Sequence, residues 1–174
     1  MLDTFRRQRR LYTVALALGC FLMFGYALWV QRHDLLEPCP LCIFQRIAVV
    51  SLGVVLLVAA AIPTGWRALG NASAVLAGLV GLAGIGVSAR HLYIQSLPEG
   101  SVPACGATLD YMLDVFPLTD VLRKVLIGSG ECAKVDWTLL GLSMPGWVLI
   151  CVLLLAAAGV LLNWRPATRI GVWK

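Results

Sequence analysis

Four long apolar runs divide the chain, and polar segments of very unequal length separate them. Leu11 to Val30 carries no charged residue. Its length matches the ~20 residues a helix needs to cross the hydrocarbon core of a bilayer. Ile43 to Ile62 is interrupted only by Gln45 and Arg46 in its first turn, and Pro63-Thr64-Gly65 ends it. Ala72 to about Ala89 comes next, with Arg90 and His91 at its far end. Met144 to Leu162 is opened by Pro145, at a first-turn position where the missing amide hydrogen costs nothing. The pattern predicts spans at about 11–30, 43–62, 72–89 and 144–162, joined on one side by loops at about 31–42 and 90–143. Residues 1–174 then form a single integral membrane domain, an all-α four-transmembrane-helix bundle.

Finer patterning adds to this outline. Gly78, Gly81 and Gly84 recur every third residue, and Ala77 and Gly81 are four apart, a spacing that lets helices approach closely in a membrane. Trp147 and Trp164 lie near the two ends of the last run, as in an interfacial aromatic belt. Within the long loop, Pro117 to Gly128 predicts a short amphipathic helix. Leu118, Val121, Leu122 and Val125 share one face, with Asp120, Arg123 and Lys124 elsewhere. Such a helix is expected to lie on the bilayer surface; the alternative is packing against the other loop.

Composition agrees with the membrane class. Charged residues are 13% of the chain, against about a quarter in a typical soluble domain. The net charge of +5 comes from basic residues beside the apolar runs, with no basic stripe interleaved with aromatics, so nucleic acid is not an expected partner. The basic tail Met1–Arg10 before an apolar run has the outline of a cleaved signal. The run is longer than a 7–15 residue signal core and further spans follow, so it is expected to be retained. Arg6, Arg7, Arg9, Arg10, Arg67, Arg165, Arg169 and Lys174, eight of fourteen basic residues, fall on one side of the four spans. That side is expected to be cytoplasmic, and holds both termini. Both cysteine-bearing loops then face outward, in a bacterium into the oxidising periplasm where disulfides persist.

Six cysteines carry the candidate chemistry. Cys20 and Cys151 lie inside spans, where cysteine acts as a small hydrophobe. Cys39 and Cys42 have the spacing of a redox pair, and Arg46 follows Cys42 by four residues on the same helix face. A cation at membrane depth marks a functional site. A thiolate is favoured at a helix N-terminus and beside a cation, which points to Cys42. Next to lipid, such a thiolate can pass electrons to a planar hydrophobic acceptor. Quinone dissolves in the bilayer and takes two electrons, as many as one dithiol releases. Cys105 and Cys132 form the second outward pair. The alternatives are a four-cysteine zinc site and two inert disulfides. Wide spacing between Cys105 and Cys132 speaks against zinc. A Cys105–Cys132 bridge would stabilise by roughly 3–4 kcal/mol in the chain-entropy view, but inert bonds leave Arg46 unexplained.

These residues together resemble the DsbB family, bacterial inner-membrane disulfide bond formation proteins. The resemblance rests on the four spans, Cys39-Pro40-Leu41-Cys42 before the second, Arg46, the cysteine pair of the long loop, Gly130-Glu131-Cys132-Ala133, and Trp137 through Pro145. It implies a quinone-dependent protein-disulfide oxidoreductase. Cys105 would receive the attack of a reduced DsbA-like periplasmic thiol oxidoreductase. Cys132 would pass the exchange to Cys39. Cys42 would contact ubiquinone or menaquinone, with Arg46 stabilising the charged state. His91 and Gln95 fall where the family lines its quinone pocket, and no metal is implied. A vitamin K epoxide reductase-like protein also pairs this motif with quinone, but places it elsewhere in the chain order. A reading of another class is a small membrane adaptor or metal-binding protein with structural disulfides.

Overall fold

The structure, a computed structural model, describes residues 2–33, 38–63, 65–98, 111, 114–128, 130–135 and 137–165. Four long helices dominate it: α1 (Leu2–His33), α2 (Pro40–Ala61), α3 (Arg67–Gln95) and α6 (Met144–Asn163). Each is long and apolar enough to cross a membrane. Between α3 and α6 lie α4 (Leu118–Ile127), α5 (Gly130–Ala133) and a hairpin of β1 (Thr138–Leu139) and β2 (Leu142–Ser143). The protein is a multi-pass, four-helix membrane bundle. Leu18, Leu22, Leu79, Leu154 and Leu161 point outward and are more than half exposed, as lipid-facing positions should be.

The helices outrun the apolar runs at several ends. α1 begins in the basic tail and reaches His33, and α3 runs from Arg67 to Gln95. An apolar run measures the thickness of the hydrocarbon. A helix continues into the interface, because its backbone groups stay satisfied until a cap or a proline ends it. The long connection therefore starts after Gln95 and not at residue 90. His91 and Gln95 sit on the last turns of α3. At the other edge, α2 starts with Pro40 at its first position and Cys39 as its N-cap, so Cys42 belongs to its first turn.

Each long helix buries a narrow stripe. On α3 it runs Ala77, Gly81, Gly84, Ser88, His91, at alternating steps of four and three. On α6 it is Val152, Ala156, Gly159, Asn163, and on α2 Leu41, Gln45, Val49, Leu52, Leu56. α3 packs chiefly against α6 and α2, and α1 against α2. The close approach is real: a side-chain carbon at Gly81 would collide with the Cβ of Ala156. One at Gly84 would lie 3.2 Å from both Ala48 and Val152. Cys20 is fully buried in this mid-bundle core with Leu52, Leu56 and Val152; Cys151 is half-buried.

α4 corrects an expectation. Two of the four residues of its predicted face turn to the bundle and not outward. Val121 and Val125 are 1% and 4% exposed and pack with Cys39, Leu41, Ile94 and Cys132, closing the cysteine-bearing end of the bundle. Leu118 points outward, and the side chain of Leu122 lies outside the described residues. Arg90 pins the helix there. Its Nε donates to the Leu126 carbonyl (2.7 Å) and Nη2 to that of Ile127 (3.3 Å), satisfying carbonyls that a helix end leaves open. Gly128 follows at φ +90° with the Ile94 side chain where a Cβ would be, so no larger residue fits. The hairpin is an addition to the all-α expectation. Leu140 and Gly141 both take positive φ (52° and 79°), the turn geometry that matches strand twist.

At the opposite end, side chains tie three helix termini together. Arg9, 8% exposed, donates to Asn163 Oδ1 (3.0 Å) and to the Ile62 carbonyl (3.4 Å). Asn71 brackets the backbone of Arg165, whose guanidinium reaches the Pro63 carbonyl (2.9 Å).

The α3–α6 seam is testable. Gly81→Leu is expected to cost about 1–3 kcal/mol through overpacking. It should lower the thermal midpoint of helix loss in micelles, followed by circular dichroism. Gly78→Ala meets only ordinary contact with Val160 at 3.5 Å and should leave the midpoint unchanged.

Candidate functional site

Local sequence places the first cysteine pair. Pro40 starts α2, so Cys39 stays in extended backbone (φ −63°, ψ 159°) while its carbonyl already accepts the Ile43 amide (3.2 Å). Cys42, within the first turn, brings its sulfur to 3.3 Å from Cys39 Sγ. That is hydrogen-bond range for two thiols. Cys39 is buried, and Cys42 half-buried.

Cys132 comes from α5, more than ninety positions away in the chain, and is 1% exposed. Two contacts bring it in. The α4 face carries the segment onto Ile94 and Leu41. His91, on the small-residue stripe of α3, lies 3.1 Å through Nε2 from the Cys132 carbonyl and 3.8 Å from Cys39 Sγ. Its other nitrogen, Nδ1, faces the Gln45 amide at 3.5 Å. With the Gln45 N–H donating to Nδ1, Nε2 carries the ring proton and donates to the Cys132 carbonyl. The ligating atoms of Cys39, His91 and Cys132 all lie within 4.8 Å of one another. A hydrogen bond with Cys132 acts downward on the Cys39 thiol, but the one with Cys42, together with burial, pushes it up to about 12. Reduced Cys39 therefore holds its proton at neutral pH.

Beside this cluster opens a cavity of about 130 Å³. Met23 and Phe24 of α1, Val49 of α2, and Met144 and Val148 of α6 give it apolar walls. Cys42, Gln45, Arg46, His91 and Gln95 supply its polar edge. Arg46 turns toward α1, where Nη1 donates to Gln31 Oε1 and Nη2 to the Ala27 carbonyl (3.3 Å). Gln95 clasps the connection between α3 and α6. It accepts from Ser143 Oγ (2.7 Å) and donates to the Lys134 carbonyl (3.5 Å). The cavity suits a flat apolar molecule with polar groups at its rim.

Of the residues singled out from the sequence, Cys39, Cys42, Arg46, His91 and Gln95 meet around this cavity, and Cys132 packs behind Cys39. Cys105 lies outside the described residues. Gln45 was noted in the sequence only as an interruption of an apolar run. The structure places it 4% exposed, between Leu41 and Val49 on the buried stripe of α2. The available signal was its helical register with those two leucine and valine neighbours. A buried amide needs a partner, and His91 is that partner.

Known proteins share this arrangement of sequence. The family model described as "Disulfide bond formation protein DsbB" matches residues 9–162. The disulfide bond formation protein B of Nitrosococcus oceani is 49% identical, over 84% of this chain and 84% of its own. That of Methylococcus capsulatus is 49% identical, over 87% and 92%. That of Psychrobacter cryohalolentis is 41% identical, over 96% and 95%. A family match that runs from the first helix to the last, with relatives aligned along most of their length, shows that this chain belongs to the disulfide bond formation protein B family.

Proposed function

We propose that the chain reoxidises a DsbA-type thiol oxidoreductase by disulfide exchange and passes the electron pair to membrane quinone. In this reading the four spans are those of a bacterial inner-membrane protein. Both termini and the Arg67 connection face the cytoplasm, and the cysteine end faces the periplasm. The basic residues support that orientation, since eight of the fourteen fall on the side away from the cysteine-bearing loops. The whole chain acts as one membrane domain.

One observation carries the proposal: the first cysteine pair stands between Cys132 and the cavity. Cys39, 6% exposed, packs with Cys132 on one side and borders the cavity on the other, so exchange from Cys132 can reach it. Cys42, 3.3 Å away, lines the cavity with Arg46. Exchange can therefore arrive at one sulfur while electrons leave from the other.

The steps balance. The partner's thiolate attacks Cys105 of a Cys105–Cys132 disulfide, and Cys132 leaves as thiolate. Cys132 then attacks Cys39 of a Cys39–Cys42 disulfide, releasing the Cys42 thiolate. His91, donating from Nε2 to the Cys132 carbonyl, holds the attacking residue against Cys39. Arg46, one turn above Cys42, offsets the negative charge. The cavity residues fit a quinone head group: apolar walls for the ring, donors on Arg46 and Gln95 for its oxygens, and His91 beside them at the rim. Ubiquinone or menaquinone, when bound, supplies an acceptor of two electrons and two protons. The partner's second thiol then displaces Cys105, and the partner leaves as a disulfide; Cys105 displaces Cys39 from Cys132, and Cys39 and Cys42 would close their disulfide again as two electrons and two protons pass to the acceptor. Overall, a partner dithiol becomes a disulfide and a quinone becomes a quinol.

Anaerobic mixing with reduced DsbA and a soluble quinone, followed by quinone absorbance, tests this. Cys42→Ser is expected to bring turnover to background; full retained turnover would refute the role of Cys42. Arg46→Ala should raise the KM for quinone about tenfold, a loss of ~1.4 kcal/mol. Disulfide exchange with DsbA, read by gel shift after thiol alkylation, should continue in that variant; an equal fall in both steps would make Arg46 structural. Cys20→Ala and Cys151→Ala should turn over at the parent rate, because neither sulfur is part of the cysteine cluster.

A further inference from the structure

The cluster behind the cavity has a property that disulfide exchange does not require. Cys39 Sγ, Cys132 Sγ and His91 Nε2 converge within 4.8 Å, all three residues are buried, and they come from three separate elements. Cys42 Sγ, 3.3 Å from Cys39 Sγ, stands outside that group. Tetrahedral zinc holds sulfur at about 2.3 Å and imidazole nitrogen at about 2.0–2.1 Å, which sets neighbouring ligand atoms roughly 3.5–3.8 Å apart. The Cys39–His91 distance of 3.8 Å already matches that edge.

We propose that Cys39, Cys132 and His91 form a zinc site that exists only in the reduced chain, with water or an added ligand in the fourth position. No electrons move on binding. Each thiol ligand releases one proton and the ion stays divalent. A disulfide that takes in Cys39 or Cys132 removes a thiolate ligand, so oxidation ejects the metal.

The surroundings of His91 meet the demand of a metal-bound imidazole. A ligating histidine gives up the hydrogen on its metal-bound nitrogen and needs a partner for the other. Nε2 would leave the Cys132 carbonyl and take zinc, and the ring proton would sit on Nδ1. Gln45, buried at 4% exposure and 3.5 Å from Nδ1, can present its amide oxygen there by turning its amide. A thiophilic ion seated here would hold the Cys39 and Cys132 sulfurs at once. It would arrest the protein in its fully reduced state until exchange or a competing ligand frees it.

This set differs from a four-cysteine site because it uses His91 and leaves Cys105 out, and that difference is testable. The full chain in detergent micelles is reduced under argon with a phosphine, freed of reductant and titrated with Co²⁺. Expected are one equivalent bound, thiolate-to-cobalt charge-transfer absorption with the visible bands of a tetrahedral ion, and displacement by Zn²⁺. The same chain oxidised with diamide should show none of this. His91→Ala should weaken binding at least tenfold, and Gln45→Ala by up to tenfold; Cys105→Ser should leave the titration unchanged. Absence of the tetrahedral spectrum in the reduced parent would overturn the proposal, and so would its equal strength in the oxidised parent. A spectrum lost in Cys105→Ser and kept in His91→Ala would overturn it in favour of four cysteines. Neither quinone nor partner protein is in the cuvette, so the outcome is separate from that of the turnover assay.

Discussion

The structure depends on how closely α3 can approach its neighbours. In a bilayer the hydrophobic effect does not press helices together, because lipid chains are as apolar as leucine. Close packing of small residues has to supply the attraction. Ala77, Gly81, Gly84 and Ser88 give α3 a nearly flat seam against α6 and α2. The same seam continues to His91, seven positions beyond Gly84. The register that packs the bundle thus delivers an imidazole to the buried end of the helix. Mid-span packing and the cysteine site are two stretches of one stripe.

His91 in turn sets what can meet at that end. An imidazole buried to 2% exposure needs its nitrogens satisfied, and the structure answers with Gln45 on one side and the Cys132 carbonyl on the other. The second contact fastens a distant segment to the bundle and brings Cys132 beside Cys39. The first explains a glutamine in the middle of a buried stripe. Buried polar groups that satisfy each other completely specify one arrangement. Here that arrangement joins two cysteine-bearing segments.

The α4 helix contributes by closing the same end. Its apolar face had two possible destinations, the bilayer surface or the bundle. Val121 and Val125 reach Leu41 and Ile94, which would otherwise leave apolar surface open beside Cys39. Arg90 then satisfies the last carbonyls of α4 from α3. Burial on that side adds to the hydrogen bond with Cys42 in pushing the Cys39 thiol up.

How much of this was legible beforehand depends on range along the chain. The four spans, the place of Cys39 and Cys42 at the start of α2, and Arg46 one turn on are local. They follow from run length, from Pro40 and from helical periodicity. The small-residue spacing on α3 was visible too, and it pointed to close packing. The helix ends were not, because hydropathy reports the depth of hydrocarbon while backbone hydrogen bonding continues past it. Three matters needed the tertiary structure. Which way α4 faces is a choice between two apolar surroundings that an amphipathic pattern cannot separate. The pairing of Gln45 with His91 joins positions on two helices whose relative rotation no single run encodes. The family resemblance already implied that Cys132 meets Cys39; the contacts that bring them together, that rotation and the α4 packing, belong to the folded bundle.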